Sequence, residues 1–196
     1  MQYINGMNVF VLSTGRAGSK TFVLACEHLS NFTAGHETRA DHIGFSRFDY
    51  PKNHIEADNR LTWHLGLLGK KYDETDVFYI HLKRDPEKIA ASFLHRWENN
   101  TFRASVIRAF AHGIVMKKDD WLESEKLDVC RHYVDTVTSN IEEFLTNRPH
   151  MAVELEDNGL SFDAFLEKIG AQGDLTACRA EWTVVHNARL SIAPLT

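Results

Sequence analysis

The chain alternates between short apolar runs and stretches with apolar residues at helical spacing. Residues 9–12 and 77–80 are apolar at every position, and β-branched or aromatic residues dominate both runs. Such runs predict strands that are covered on both faces, as in a parallel sheet. Residues 31–37 predict a shorter second strand, and residues 151–157 predict a later one. The pattern therefore favours a sheet of separate, parallel strands.

Stripes of apolar residues predict the helices that connect these strands. The stripes are Phe22, Cys26 and Leu29; Ala57, Leu61, Leu65 and Leu68; Ile89, Phe93 and Trp97; Phe102, Val106, Phe110 and Ile114; Cys130, Val134, Val137, Ile141 and Leu145; and Phe162, Phe165 and Ile169. Residues 45–54, FSRFDYPKNH, predict a loop. Strands that alternate with helices predict an α/β fold, a three-layer sandwich around a central, mainly parallel sheet. Ligands of such folds bind at the carboxyl ends of the strands.

Length and composition predict a soluble protein. The 196 residues suffice for a single domain, 1–196, with a substantial core. The net charge of −5 argues against a nucleic-acid polymer as partner, so an anionic ligand would need a few placed cations. The three cysteines lack metal-ligand or disulfide spacing, which predicts no metal site and a reducing, cytoplasmic location. No stretch approaches the ~18 apolar residues of a membrane span, and no signal-peptide pattern is present.

The stretch STGRAGSKTF, residues 13–22, separates the first predicted strand from the first predicted helix. Its Gly15 and Gly18 allow a tight turn and a close approach of a ligand to the backbone. Cations and hydroxyl groups crowd into the same stretch: Arg16, Lys20, Ser19 and Thr21. Because N–H groups at a helix start bind phosphate well, the stretch predicts an anion site. The alternative is an ordinary strand–helix turn with surface cations.

A Walker A loop is one interpretation of this stretch. That loop needs a glycine, four further residues and then Gly-Lys-Ser/Thr. Counted back from Lys20, Ser19 and Thr14 stand where the two glycines are required. A magnesium-binding aspartate is also missing after the later strand, where Arg84 precedes Asp85. A nucleotide or small-molecule kinase, or an ATP-binding protein with a degenerate loop, remains an alternative, as does a non-catalytic nucleotide-binding module.

A second constellation lies in HLKRDPEKIAASFLHR, residues 81–96. Arg84 ends a predicted strand, and Ser92 lies on the helix that follows. The helix folds back over the strand end, so the two side chains can converge. A guanidinium fork and a hydroxyl group make a good phosphate clamp. An ion pair of Arg84 with Asp85 or Glu87 is the alternative.

Residues 15–21 resemble the 5′-phosphosulfate loop of sulfotransferases, and residues 81–96 resemble the 3′-phosphate-binding segment of the same family. The resemblance implies a P-loop NTPase-like α/β fold and no metal. It also implies transfer of a sulfuryl group from 3′-phosphoadenosine 5′-phosphosulfate (PAPS) to a hydroxyl or amine acceptor. The residues that would hold PAPS are Gly15, Arg16, Ala17, Gly18, Ser19, Lys20, Thr21, Phe22, Arg84 and Ser92.

The resemblance also assigns roles within that set. The loop N–H groups, Lys20 and Arg16 would neutralise charge that grows on the leaving phosphate oxygen. Arg84 and Ser92 would hold the 3′-phosphate and so distinguish PAPS from ATP. The family's loop often has two hydroxyl residues after its glycine, whereas here Lys20 separates Ser19 from Thr21.

Sulfuryl transfer needs a base for the proton of the acceptor. His36 and Glu37 follow the second predicted strand, which we expect beside the loop in the sheet. Adjacent residues of an extended chain face opposite sides, so only one of the two can point into the site. We favour Glu37, with His36 second and a solvated strand end as the alternative. Residues 38–56 and 99–124, with Arg60 and Trp63, would shape the pocket of a small-molecule, carbohydrate or lipid acceptor.

Overall fold

The computed structural model describes residues 6–72, 76–97, 105–184 and 186. A sheet lies at its centre, with strands β1 (Asn8–Leu12), β2 (Thr33–His36), β3 (His54–Ala57), β4 (Val77–Lys83) and β5 (His150–Glu154). The strand order is β2-β3-β1-β4-β5, and every neighbouring pair is parallel. The carboxyl ends of all these strands therefore lie at one edge of the sheet.

Helices connect the strands: α1 (Ser19–Cys26), α2 (Leu65–Lys71), α3 (Pro86–Leu94), α4 (Val106–Ala109), α5 (Glu123–Leu145), α6 (Leu160–Lys168) and α7 (Leu175–Trp182). Short 3₁₀ helices cover Gly44–Phe48 and Asn59–Trp63, and a π-helical turn covers Phe110–Ile114. Within the described ranges, no helix has both the length and the apolar character needed to cross a bilayer.

The helices cover both faces of the sheet. On one face, the ring of Tyr79 lies 5.2 Å from that of Phe144 in α5. Phe78, the neighbour of Tyr79 in β4, points to the other face, where the Lys168 ammonium of α6 lies 5.8 Å from its ring centre. The predicted α/β fold, a parallel sheet between helical layers, is confirmed.

The sequence pattern misses β3. Residues 45–54 predict a loop and the stripe from Ala57 to Leu68 predicts one helix, whereas the chain forms two 3₁₀ helices, β3 and α2 there. This strand is short and half polar, with His54 and Glu56 both buried. Because β3 lies between β1 and β2, these two strands are not paired in the sheet. The carboxyl end of β2 nevertheless reaches the start of α1, where His36 contacts Ser19.

The other strands lie where the apolar runs predict them. The stripe that begins at Phe102 forms α4 and the π-helical turn, with Phe102 itself outside the described residues. The acceptor segment 99–124 is likewise described only from residue 105 onwards. No element is predicted from the sequence after residue 170, and there residues Leu175–Trp182 form α7.

Candidate active site

The loop between β1 and α1 has the backbone of an anion cradle. Gly15 (φ 81°), Arg16 (φ 61°) and Gly18 (φ 96°) are all left-handed. Gly18 is also the N-cap of α1. Because it has no side chain that could accept from the first-turn N–H groups, these groups remain available to bind a ligand. A Cβ on Gly18 would lie 2.6 Å from Leu155 Cδ1, so the close approach of that side chain requires glycine as well.

Neighbouring elements fix the shape of this loop. The buried Tyr133 hydroxyl of α5 donates to the Thr14 carbonyl at 2.7 Å. Arg84 Nη1, at the end of β4, donates to the Arg16 carbonyl at 3.1 Å. A Cβ on Gly15 would lie 3.0 Å from the Asn59 side-chain nitrogen, so the segment after β3 packs directly against the loop. The cradle is therefore held from three sides before any ligand binds.

Arg16 connects the loop to the second constellation. Its Nε donates to Ser92 Oγ at 2.9 Å, while its carbonyl accepts from Arg84. Arg84 and Ser92 thus converge as the spacing predicts, with the loop arginine between them. Burial, and then the charges of Arg96 and Arg84, together lower the pKa of Arg16 to about 10. Three guanidinium groups therefore influence one another at this corner of the sheet edge.

Arg84 has a partner that the sequence does not reveal. Asp85 caps α3 and Glu87 pairs with Arg131, so neither of the expected carboxylates binds it. Glu156, just after β5, lies 3.6 Å from Arg84 Nε and also accepts from Lys88 at 2.7 Å. Arg84 Nε is buried and has no hydrogen-bond partner among the residues that the structure describes.

His36 and Glu37 lie at the carboxyl edge and have different partners. His36 Nε2 and Ser19 Oγ are hydrogen-bonded at 3.0 Å, which brings the imidazole to the first turn of α1. Glu37 has a left-handed backbone (φ 56°), and its Oε2 pairs with Arg60 Nη1 at 2.6 Å. Of the two candidate bases, His36 is the one that contacts the loop helix.

A buried polar network supports the turn that follows β2. The fully buried Glu56 of β3 accepts from the Thr38 N–H at 2.8 Å and from its hydroxyl at 2.7 Å. The same carboxylate lies 3.0 Å from His54 Nε2. Gly35 is opposite Glu56 in the sheet, where a Cβ would lie 2.4 Å from Thr38 Cγ2. Sequence reasoning missed this support because it assigned residues 45–54 to a loop and began a helix at Ala57.

A buried ion pair ties the segment after β2 to the same edge. Asp58, at the end of β3, pairs with Arg47 at 2.7 Å and accepts from the Arg60 N–H at 2.8 Å. Arg47 donates further to the carbonyls of Arg39 and Ala40. Burial raises the pKa of Asp58, and these donors act against that effect. The contacts fix the segment 38–48 beside the site.

Solved structures match this architecture, although no family model and no curated protein matches the sequence. The mouse sulfotransferase SULT7A1, complexed with PAP, has a TM-score of 0.56 at 15% identity over 89% of this chain. The sulfotransferase domain from the curacin biosynthetic pathway has a TM-score of 0.57 at 10% identity over 90%. A sulfotransferase from Alicyclobacillus acidocaldarius has a TM-score of 0.53 at 9% identity over 87%. This chain has a sulfotransferase-type fold.

The likeness concerns the fold alone at these identities. The chain spans 62% of the mouse protein, 77% of the curacin domain and 83% of the Alicyclobacillus protein. Activity, substrates and partners therefore have to be argued from the site itself.

Some residues that the sequence assigns to the site have side chains elsewhere in this sulfotransferase-type fold. Phe22 is buried, with its ring 5.8 Å from that of Trp182. The Thr21 hydroxyl donates to the Val184 carbonyl at 3.4 Å, and Ala17 is buried. Only the backbones of Ala17, Thr21 and Phe22 could contact a ligand in the loop. The Lys20 side chain is partly exposed and binds none of the residues that the structure describes.

Proposed function

We propose that this protein transfers the sulfuryl group of PAPS to a hydroxyl or amine of a small-molecule, carbohydrate or lipid acceptor. The observation that carries the proposal is the contact of Arg16 with Ser92. It joins a loop suited to one anion to a cluster suited to a second anion, in a sulfotransferase-type fold. PAPS has two such groups, the 5′-phosphosulfate and the 3′-phosphate.

The residues present fit this co-substrate. The loop offers N–H groups and a helix start to the phosphosulfate. Arg84 has a buried Nε without a hydrogen-bond partner among the described residues, and an unsatisfied buried donor is costly unless a ligand pairs with it. We assign Arg84 and Ser92 to the 3′-phosphate, and Lys20, Arg16 and the loop N–H groups to the leaving phosphate.

We assign the base to His36 rather than Glu37. The acceptor must lose its proton as its oxygen or nitrogen forms the bond to sulfur and the bond between sulfur and the leaving phosphate oxygen breaks. His36 Nε2 already contacts Ser19 in the first turn of α1. The Glu37 carboxylate is held by Arg60 and is better suited to orienting that arginine at the acceptor side.

We also infer that residues 1–196 act as one domain in the cytoplasm. The three cysteines are free and buried, which fits a reducing compartment.

The acceptor pocket would include Arg60 and Trp63, and the Trp63 ring lies 6.4 Å from that of Tyr133.

Ligand-induced thermal stabilisation tests the proposed function. Adenosine 3′,5′-bisphosphate (PAP) should raise the melting temperature, whereas ATP with magnesium should have little effect. Arg84→Ala should abolish the stabilisation by PAP. Arg179→Ala, which removes an exposed arginine paired with Asp163 on α6, should leave it unchanged and serves as the charge-matched control.

The opposite pattern would contradict the proposal. Stabilisation by magnesium-ATP alone would favour the kinase or ATP-binding alternative. Transfer of a labelled sulfuryl group from PAPS to members of an acceptor panel then separates an enzyme from a non-catalytic binding module.

A further inference from the structure

We propose that Arg96 is a specificity-determining residue, a second cation of the 3′-phosphate subsite beside Arg84, next to the loop arginine Arg16. The inference rests on the proposed function and extends it to Arg96, the last residue of the segment 81–96, to which the resemblance assigns no role. Its consequence is a stronger preference for nucleotides with a 3′-phosphate.

The first argument is the placement of Arg96 about one helical turn after Ser92. The two residues are four positions apart. Helical hydrogen bonds continue past the end of α3, because the Arg96 N–H donates to the Phe93 carbonyl and the Trp97 N–H to the Leu94 carbonyl, both at 3.0 Å. These bonds are of the 3₁₀ type, so the chain makes about one turn between Ser92 and Arg96 and keeps the two residues close together along the helix axis.

Packing fixes the orientation of this turn. Phe93 and Trp97 are buried, at 4% exposure each, and they anchor the adjacent side of the turn in the core. Ser92 and Arg96 are both half-buried, and Ser92 Oγ already accepts from Arg16. Arg96 is therefore presented to the corner where the loop arginine meets α3.

The second argument is the local charge balance. Within the ranges that the structure describes, no carboxylate pairs with Arg16 or with Arg96. Glu156 lies 3.6 Å from Arg84, and Lys88 shares this carboxylate. After burial, the charge of Arg96 does more than that of Arg84 to lower the pKa of Arg16. The free protein thus holds guanidinium groups together without enough negative charge to balance them.

A phosphate monoester matches this deficit. It has a charge of about −1.5 to −2 and three acceptor oxygens, enough for several guanidinium groups at once. A nucleotide with only a 5′-phosphate cannot supply a second dianion to the cluster. Arg96 should therefore contribute to the binding of PAP and contribute little to the binding of AMP.

Calorimetric titration of PAP and of AMP into the wild-type protein and Arg96→Ala tests this inference. We expect Arg96→Ala to weaken PAP binding about tenfold or more and AMP binding less than about twofold. Arg96→Lys keeps the charge but loses the planar fork, so its loss of PAP affinity should be intermediate. Arg179→Ala removes the same charge far from the cluster and should leave both affinities unchanged.

The outcomes separate this inference from the proposed function. A wild-type protein that does not bind PAP contradicts the proposed function itself. If the wild type prefers PAP and Arg96→Ala keeps that preference, or loses affinity for PAP and AMP equally, the role of Arg96 is refuted and the proposed function survives. Arg96→Gln provides the same comparison if the alanine variant does not fold, since the amide keeps much of the side-chain volume.

Discussion

His36 and Glu37 are adjacent residues whose side chains have different partners, Ser19 and Arg60. If His36 is the base, His36→Ala should lower the rate of sulfuryl transfer about 100-fold or more, because a positioned base contributes that much. The affinity of the His36→Ala variant for PAP should differ little from that of the wild type. Glu37→Gln should have a smaller effect, since the amide oxygen can still accept from Arg60. The measurement is transfer of a labelled sulfuryl group together with PAP titration.

His42→Ala is the matched control for this comparison. His42 lies on the same segment, but it is exposed and pairs with Asp41. A variant series in which Glu37→Gln abolishes transfer and His36→Ala retains it would assign the base to Glu37 instead.

His81 of β4 couples the stability of the fold to pH. Burial, and then the charge of Lys83, lowers its pKa to about 4, against an ordinary value of 6.5. Between these two pH values the unfolded chain binds more protons than the folded chain, so stability rises with pH across this window and is complete above it. Acidification from pH 6.5 to about pH 4 should therefore lower the free energy of unfolding by about 3 kcal/mol.

Urea unfolding of the wild type and His81→Phe at a series of pH values measures this contribution. The difference in unfolding free energy between the two proteins isolates His81 from the carboxylates, which titrate in both. If the two curves remain parallel through the window, His81 does not provide the coupling.

At the scale of elements, α5 supports the anion loop through one hydroxyl group. Tyr133→Phe removes the hydrogen bond to the Thr14 carbonyl, while the ring keeps its contacts with Phe93 and Phe110. We expect a loss of about 1–2 kcal/mol in unfolding free energy. PAP affinity should also fall several-fold, because the loop loses one of its fixed points.

Tyr72→Phe is a close control for the same change. The Tyr72 hydroxyl donates to the Phe48 carbonyl at 2.6 Å, away from the loop. Tyr72→Phe should lower the free energy of unfolding by a similar amount and leave the affinity for PAP unchanged. Equal affinity losses in the two variants would mean that Tyr133 acts through general stability and not through the loop.

The elements also show which parts of the fold the sequence can predict. β1 and β4 are buried on both faces, so their apolar runs are visible without any knowledge of their neighbours. β3 carries His54 and Glu56 instead, which bind each other and are also bound by Thr33 and Thr38 of another segment. That compensation depends on long-range contacts, so no local pattern in the sequence indicates it.

The candidate site also has parts that the sequence predicts and parts that depend on contacts between distant segments. Strand ends and helix starts predict that the loop, Arg84 and Ser92 meet at one edge, because connectivity alone brings them there. The position of Arg16 between them depends on a left-handed backbone and a side-chain direction. Glu156 follows β5, which pairs with β4 but comes much later in the chain, so its contact with Arg84 could not be read from spacing.

At the scale of the whole molecule, a chain with a net charge of −5 gathers Arg16, Arg84 and Arg96 at one corner. Anion binding must therefore come from placed cations and not from the overall field, as the composition predicts. If Arg84 binds the 3′-phosphate as proposed, Glu156 is the carboxylate that would compete with that phosphate. The hydrogen bond from Lys88 lowers the pKa of Glu156, so it is charged at neutral pH.

Glu156→Gln should consequently raise the affinity for PAP several-fold at low ionic strength, because it frees Arg84 and Lys88 for the ligand. The gain should shrink as salt increases, since the Debye length falls from about 10 Å at 0.1 M to about 3 Å at 1 M. Asp163→Asn changes the net charge equally but breaks only the distant pair with Arg179. If both variants raise the affinity by the same factor, the overall charge controls binding. A gain confined to Glu156→Gln means that the local contact controls it, because only that variant removes a competitor from the arginine cluster.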